Sequence, residues 1–188
     1  MDPFSYRPLS PETWNDFAAL FGPKGACAGC WCMLWRLPRK QYDAGKGDGN
    51  RDAMRALVDA GVQPGILGYL AGAPVAWCSV GPRPDFSGLE RSRILKPVDE
   101  QPVWSLTCLF IDKNYRRRGL SGKMIAAAAD FARTQGANLL EAYPVEPKQG
   151  EMPAVFAWTG IAAPFLRAGF REVARRSEGR PVLRLTLR

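Results

Sequence analysis

The chain has 188 residues, which is enough for one domain with a complete hydrophobic core and short for two. Its 26 Lys and Arg residues outnumber its 18 Asp and Glu residues, and the net charge of +8 favours anionic partners: nucleic acid, acidic surfaces or phosphorylated small molecules. The sequence has no histidine, which excludes Ser-His and Cys-His catalytic arrangements and His-ligated metal sites. Without a long apolar run or a signal peptide, we expect a cytosolic protein with no membrane partner.

The first 61 residues predict one strand and two helices. Apolar side chains recur at helical spacing in both helices, and a glycine stands where each one ends. Between the helices, an aromatic segment can be helical or irregular, and the glycine-rich stretch after it predicts a mobile loop. In order, the predicted elements are a strand at 4–9, a helix at 10–22, the aromatic segment at 30–38, the loop at 40–50 and a helix at 51–61.

The middle of the chain predicts an antiparallel hairpin and then a strand-helix-strand unit. The hairpin consists of strands at 65–70 and 74–80 joined by a tight link. After a polar stretch, residues 103–111 are almost continuously apolar, which indicates a strand buried on both faces. A helix ending at Gln135 and a strand at 138–143 follow, so we expect the two strands of this unit to pair in parallel.

The last part of the chain predicts a helix at 154–169 and two strands, at 170–176 and 181–188. Leucines alternate with polar residues in the last strand, a pattern typical of a half-solvated antiparallel strand. The elements together predict a mixed α/β fold with a single domain over residues 1–188. We expect the last strand to lie at an exposed edge, where it offers a route to a homodimer.

Three of the five cysteines cluster in the segment CAGCWC, at Cys27, Cys30 and Cys32. A structural zinc site needs four ligands, and no nearby histidine or fourth cysteine completes this set, so we predict no metal site. Cys78 and Cys108 lie in apolar runs, which favours small buried side chains. A reactive or reversibly oxidised Cys27–Cys30 pair and a plain packing role both stay open.

Residues 115–124 have the sequence YRRRGLSGKM and lie at the strand-to-helix junction of the parallel unit. The first turn of a helix has unpaired backbone N–H groups and the positive end of the helix dipole. A pyrophosphate can bind there, and glycine lets it approach the backbone closely. The dinucleotide-binding and P-loop glycine patterns are both absent. The candidate phosphate-binding residues are therefore Arg116, Arg117, Arg118, Gly119, Gly122 and Lys123.

The longer segment LFIDKNYRRRGLSGKMI resembles the cofactor motif of the GNAT superfamily of acyl-CoA N-acyltransferases. In that motif an apolar strand end, a short link and an aromatic residue precede [QR]-x-x-G-x-[GA]. Arg116 and Gly119 fill the first and fourth positions, while Ser121 replaces the usual Gly or Ala and Gly122 follows it. The segment FLRAGFREV is similar to the family's late motif, a helix that ends in Gly-Phe before a strand. The resemblance implies the family's mixed sheet flanked by helices over most of the chain.

The resemblance also implies an acetyl-CoA site. The strand of residues 109–111 would pair with the pantetheine arm, and the backbone N–H groups of residues 117–122 would hold the pyrophosphate. The strand through Glu141 would splay away and open a cleft where an amine meets the thioester. The implied cofactor-binding residues are Leu109, Phe110, Ile111, Arg116, Arg117, Arg118, Gly119, Leu120, Ser121, Gly122, Lys123 and Phe165.

Two positions differ from the family's catalytic residues, which are a tyrosine in many members and a glutamate in some members. Phe165 stands where a tyrosine would protonate the leaving thiolate, and Ser105 stands where a glutamate would act as a base. A carboxylate or a water chain can still accept the proton of the amine. The catalytic candidates near the predicted cleft are Glu141, Tyr143 and Glu146. A solvent-facing role for the two carboxylates and a packing role for Tyr143 stay open.

Trp31 and Trp35 are the candidates for the acceptor pocket, where an indole ring can stack on an acceptor or hold its cationic group. Their i, i+4 spacing is equally typical of a core stripe. The resemblance implies an N-acetyltransferase that moves an acetyl group from acetyl-CoA to a primary amine by direct attack in a ternary complex. A CoA-binding sensor without turnover and a basic nucleic-acid-binding module stay open as alternatives. The acceptor itself is not identified by the sequence.

Overall fold

A computed structural model describes residues 3–147 and 157–187, which form a seven-stranded mixed sheet with helices packed on both faces. The strands and helices are β1 (Phe4–Pro8), α1 (Trp14–Phe21), α2 (Arg39–Ala44), α3 (Asp48–Asp59), β2 (Gly65–Leu70), β3 (Ala73–Pro82), α4 (Ser87–Glu90), β4 (Trp104–Ile111), α5 (Leu120–Thr134), β5 (Leu139–Ala142), α6 (Ala162–Arg167), β6 (Arg171–Arg175) and β7 (Pro181–Thr186). The strand order is β1-β2-β3-β4-β5-β7-β6. None of the described helices is long and apolar enough to cross a membrane.

The parallel unit predicted in the middle of the chain is confirmed. β4 and β5 pair in parallel, with α5 as the connection between them, while the other neighbouring strands pair antiparallel. The mixed α/β fold class predicted from the element order is confirmed as well. The assignment of residues 1–188 to a single domain stays a prediction.

One face of the sheet packs against α1 and α3 through an aromatic core. The ring of Phe17 lies edge-on to Trp77 at 4.9 Å and contacts Phe21 at 4.1 Å. Phe21 lies 5.8 Å from Phe110 of β4. Aromatic pairs at these separations stabilise a fold beyond the area that they bury. This core therefore fixes α1, and the start of the loop that follows it, against β4.

The opposite face of the sheet packs against α5. Small and apolar residues of the helix, among them Met124, Ala128 and Phe131, are buried against β3, β4 and β5 in one continuous core. The alanine-rich face lets the helix lie close to the sheet. As a result, the first turn of α5 sits at a fixed position beyond the end of β4.

A hydrogen bond between β1 and α5 provides a test of this packing. The Tyr6 hydroxyl donates to the Asp130 carboxylate at 2.6 Å, and burial together with this bond raises the pKa of Tyr6 to about 12. Replacing Tyr6 with phenylalanine is expected to lower the free energy of unfolding by about 1 kcal/mol, measured by urea denaturation. Tyr6→Ala should cost more, because the ring also packs on the core. An unchanged midpoint in Tyr6→Phe would show that the bond adds no stability.

Three predictions about the elements are wrong. The polar stretch at 40–50 is not a loop, since it contains most of α2 and the start of α3. Within the predicted helix at 154–169, residues 154–156 lie outside the described residues, and the described residues 157–169 are helical only over α6. The last strand, β7, lies between β5 and β6 and is not an edge strand. The edges of the sheet are β1 and β6, so the last strand has no free edge through which a homodimer could pair.

Candidate active site

A cavity of about 550 Å³ lies along the part of β4, from Thr107 onward, that is beyond its pairing with β5. The two strands pair only from Trp104 to Leu106 on β4, opposite Leu140 to Ala142 on β5, and they share no pairing beyond that point. The described walls of the cavity are the end of β4, the first turn of α5, the segment 26–35, Tyr42 and the segment 157–165. The cavity therefore connects the open strand edge with a helix N-terminus.

The helix N-terminus at the mouth of this cavity belongs to α5. Gly119 is the N-cap residue in a left-handed conformation, with φ 72°, which glycine adopts without a steric penalty. The backbone N–H groups of residues 120–122 have no acceptor within the helix, and the helix dipole adds partial positive charge there. The exposed side chains of Arg116 and Arg117 line the same end of the cavity. This arrangement is suited to a pyrophosphate.

The structure divides the predicted cofactor-binding residues into two groups. Arg118 lies with its guanidinium 5.3 Å from the ring of Tyr115, and the Lys123 ammonium lies 5.8 Å from the ring of Phe4. These two residues and Gly122 are outside the described lining. The predicted residues that line the cavity are Leu109, Phe110, Ile111, Arg116, Arg117, Gly119, Leu120, Ser121 and Phe165.

A segment of the chain itself bridges the open edge of β4. The N–H of Leu109 donates a 2.7 Å hydrogen bond to the carbonyl of Trp158, and the N–H of Val145 donates a 2.9 Å bond to the carbonyl of Gly160. The segment 157–161 therefore lies between the extensions of β4 and β5. In this structure the Leu109 amide, which the resemblance assigns to pantetheine, is occupied by the protein's own backbone.

The predicted catalytic residues Glu141 and Tyr143 belong to a buried polar network. Glu141 is 1% exposed, and its carboxylate accepts hydrogen bonds from Arg184 at 2.7 Å and from the Tyr143 hydroxyl at 3.0 Å. The Tyr143 hydroxyl also accepts a 2.8 Å bond from Arg83 and lies 2.8 Å from the Ser105 hydroxyl. Burial, and next the Glu141 carboxylate, raise the pKa of Tyr143 well above its ordinary value. Neither residue is in the described lining of the cavity.

The third catalytic candidate, Glu146, forms an exposed ion pair. Its carboxylate lies 2.6 Å from the guanidinium of Arg175, and the side chain is 38% exposed. Glu146 is also absent from the described lining. The structure therefore brings none of the three candidates to the cavity wall, and a catalytic role for them stays a prediction.

The two predicted acceptor-pocket tryptophans have different environments. Trp35 lines the cavity, and its ring lies 5.9 Å from the ring of Trp158 on the bridging segment. Trp31 is buried in the aromatic core, stacked on Phe21 at 5.5 Å, and is outside the described lining. Only Trp35 thus has the position expected of an acceptor-binding residue.

The sequence analysis did not place several polar groups that line the cavity. They belong to Tyr42, whose pKa burial raises to about 12, to Thr107, and to the cysteines Cys27, Cys30, Cys32 and Cys108, among others. The segment CAGCWC brings Cys27, Cys30 and Cys32 together in the sequence, and this clustering could have indicated a shared site. The segment does not indicate that Cys108 lies beside them. No carboxylate occurs in the lining formed by residues 3–147 and 157–187.

Two of these thiols are in direct contact. The Cys32 Sγ lies 3.4 Å from the Cys108 Sγ on β4, and burial raises the pKa of the Cys32 thiol. The Cys30 thiol donates a 3.5 Å hydrogen bond to the Gly25 carbonyl, and the nearby Cys32 thiol lowers the pKa of Cys30 to about 6. Within the part of the chain that the structure describes, no group of His, Cys, Asp or Glu side chains is arranged to hold a metal ion.

The sequence model of the acetyltransferase (GNAT) family matches residues 31–154, about two thirds of the chain. The chain belongs to this family. No curated protein matches it with significant sequence similarity. The GNAT match contains β4, the arginine-rich turn and α5, which are the elements that form the cavity mouth.

Solved GNAT structures share the fold over nearly the full length of the chain. A GNAT acetyltransferase from Listeria monocytogenes is 13% identical with a TM-score of 0.58, covering 98% of this chain and 95% of the other. PaiA N-acetyltransferase from Thermoplasma acidophilum, in complex with coenzyme A, is 8% identical with a TM-score of 0.53, covering 98% and 99%. YncA from Salmonella typhimurium, with its cofactor acetyl-CoA, is 14% identical with a TM-score of 0.54, covering 98% and 94%.

At the two positions where the resemblance places a catalytic acid and a catalytic base, this GNAT chain has a phenylalanine and a hydrogen-bonded serine. Phe165 is fully buried, lines the cavity and packs edge-on against Phe170 at 5.3 Å. Ser105 is fully buried, and its hydroxyl is bonded to Tyr143. Any acid or base that faces the described cavity must therefore come from other residues, and the titratable ones in its lining include Tyr42 and the cysteines.

Proposed function

We propose that this GNAT chain is an N-acetyltransferase that moves an acetyl group from acetyl-CoA to a primary amine by direct attack in a ternary complex. The observation that carries the proposal is the cavity that runs from the N-terminus of α5 to the open edge of β4. Coenzyme A and acetyl-CoA in the PaiA and YncA structures support it.

In the proposed complex, the pyrophosphate binds the free N–H groups of residues 120–122, with Arg116 and Arg117 adding charge-assisted bonds. The pantetheine arm runs along β4, which brings the thioester between β4 and the segment 26–35. The amine enters from the side of Trp35, whose ring face attracts a cationic group. The ammonium first loses a proton to water, and the neutral nitrogen then attacks the carbonyl carbon. The bond to sulfur breaks, and coenzyme A leaves as a thiolate that takes up the second proton lost by the nitrogen.

The first experiment is a calorimetric titration of the purified protein with acetyl-CoA, followed by a screen of primary amines for release of free coenzyme A. We expect a dissociation constant in the micromolar range, corresponding to about −8 kcal/mol, and release of coenzyme A that depends on the amine. No binding at millimolar acetyl-CoA would contradict the proposal.

A CoA-binding sensor without turnover is the second candidate. It is favoured by Phe165 and Ser105 at the positions where a catalytic acid and base are expected. Tight binding of acetyl-CoA without acetyl transfer to any amine in the screen would support the sensor.

The cytosolic location also stays a prediction, consistent with five free cysteines.

A further inference from the structure

The described lining of the cavity is rich in aromatic side chains. Two of them, Phe110 and Phe165, belong to the part of the cavity that is assigned to the cofactor. The others come from α1, the segment 26–35, α2 and the segment 157–161, and they are the rings of Phe21, Trp35, Tyr42 and Trp158. These rings therefore line the walls that the proposed cofactor path leaves to the acceptor.

Trp35 and Trp158 lie next to each other in this lining. Their ring centroids are 5.9 Å apart, with the ring planes tilted by 37°, and both side chains are only partly buried. Each indole therefore keeps ring surface that a third ring can cover. Aromatic rings attract one another in offset or edge-to-face arrangements, beyond the effect of the area that they bury.

Trp35 is held in position by its contacts with α4. The N–H of Gly88 donates a 2.8 Å hydrogen bond to the Trp35 carbonyl, and a Cβ built at Gly88 would lie 2.9 Å from the Trp35 ring. Glycine thus lets α4 pack directly against the indole, which also packs on a core cluster that contains Phe86 and Leu89. A ring that is already fixed loses little conformational freedom when a ligand packs on it.

The charged side chains in the described lining are positive. They are Arg116 and Arg117, and no carboxylate lines the cavity within residues 3–147 and 157–187. An acceptor with a second ammonium group would bring an unpaired positive charge into this space. Burial of such a charge is costly, and a ring face restores only part of the hydration that the charge loses.

The carboxylate that follows Tyr42 in the sequence is already paired. Asp43 lies 2.6 Å from the guanidinium of Arg39 and 2.8 Å from the ammonium of Lys46. The same two cations lie 5.9 Å and 5.6 Å from the ring of Tyr42. A cationic acceptor near Tyr42 would therefore meet positive charge rather than a free carboxylate from Asp43.

We propose that the acceptor is a primary amine carried on an aromatic ring system with no second positive charge, and that this ring packs against Trp35 and Trp158. The inference rests on the proposed acetyl transfer and names the chemical class of its acceptor. The reacting nitrogen becomes neutral before it attacks, so its charge needs no partner in the cavity. A second ammonium or guanidinium group stays charged throughout, which makes polyamines poor acceptors and arylalkylamines good ones.

The test measures release of free coenzyme A by the purified full chain with saturating acetyl-CoA and one of three amines: 2-phenylethylamine, 2-cyclohexylethylamine or 1,6-diaminohexane. The cyclohexyl compound has a similar size but no aromatic ring, and the diamine adds a second ammonium group. We expect kcat/KM for 2-phenylethylamine to exceed that for the cyclohexyl compound by about threefold to tenfold. It should exceed that for the diamine by at least about tenfold. Equal values or the reverse order in either comparison would overturn the inference.

Two tryptophan variants test the position of the acceptor ring. Trp35→Leu keeps an apolar side chain but removes the ring, so it should lose the preference for the phenyl over the cyclohexyl compound and still bind acetyl-CoA. Trp104→Leu is the matched control, because Trp104 is also partly buried, packs edge-on against Phe131 at 5.9 Å and is outside the described lining. It should keep the preference. A preference that persists in Trp35→Leu would overturn the inference, and the amine comparison on the unsubstituted chain decides it even where a variant fails to fold.

Calorimetry distinguishes a failure of this inference from a failure of the proposed function. Acetyl transfer that favours the diamine overturns the inference and leaves the proposed function intact. If acetyl-CoA binds but no amine is acetylated, the proposed function fails. The affinities of the three amines for the complex with coenzyme A then decide the inference: the order given above supports it, and any other order overturns it.

Discussion

Replacing Glu141 with alanine is expected to lower the free energy of unfolding by about 3–5 kcal/mol, measured by urea denaturation. Glu141 lies between Arg83 and Arg184, whose side chains are 8% and 11% exposed. Without the carboxylate, Arg83 and Arg184 lose the buried counter-charge that they share and keep the exposed carboxylates of Glu90 and Asp99. The Tyr143 hydroxyl loses one of its hydrogen-bond partners. The cost is large because the two largely buried guanidinium groups are then paired only with exposed carboxylates and are poorly solvated by water.

Glu146→Ala provides the matched control for this prediction. Its ion pair with Arg175 is exposed, so its loss should change the free energy of unfolding by only about 0–1 kcal/mol. The pair of variants also tests the catalytic role predicted for Glu141. A residue that acts only in catalysis would lose turnover and keep its denaturation midpoint, and that result for Glu141→Ala would contradict the structural role.

Replacing Gly119 with leucine is expected to weaken acetyl-CoA binding at least tenfold, or by about 1.4 kcal/mol or more, in a calorimetric titration. The left-handed φ of 72° disfavours any residue with a Cβ, which shifts the backbone at the cap of α5. No described atom lies within 4 Å of a Cβ built at Gly119. Because Gly119 lines the cavity, we expect the new side chain to take up space proposed for the pyrophosphate.

Gly136→Leu is the control for the backbone effect alone. Gly136 follows the other end of α5, has φ 83°, and also has no described atom within 4 Å of a built Cβ. It is outside the described lining. Both variants should lose a similar amount of stability, but Gly136→Leu should bind acetyl-CoA like the unsubstituted chain. Equal losses of affinity in both variants would count against the proposed phosphate site.

The parts of the fold that the sequence predicted well are those that local patterns determine. The apolar run of β4, the helical spacing of α5 and the arginine-glycine turn between them are contiguous, so their relation can be inferred without tertiary information. The loop predicted at residues 40–50 was wrong because contacts with distant residues, and not local patterns, determine the structure there. There Asn50 is fully buried and donates hydrogen bonds to the carbonyls of Gly29 and Tyr42, contacts that hold a polar, glycine-rich stretch in helices.

In the candidate site, too, local features could be predicted from the sequence and long-range contacts could not. Most of the predicted cofactor residues line the cavity, because they belong to one continuous strand-turn-helix segment. The contact between Cys32 and Cys108 joins residues 76 positions apart, and Glu141 meets Arg184 across 43 positions. Such pairs depend on which strands become neighbours in the sheet, and no spacing rule in a single sequence gives that information.

The Trp158 carbonyl, which accepts a hydrogen bond from the Leu109 N–H, competes with the cofactor for the edge of β4. An amide N–H has one proton to donate, so a pantetheine carbonyl that pairs with Leu109 must displace the carbonyl of Trp158. The apparent dissociation constant then equals the intrinsic constant divided by the fraction of molecules in which that bond is open. Changes in the segment 157–161 that weaken its hold on β4 would tighten cofactor binding without adding a contact to the cofactor.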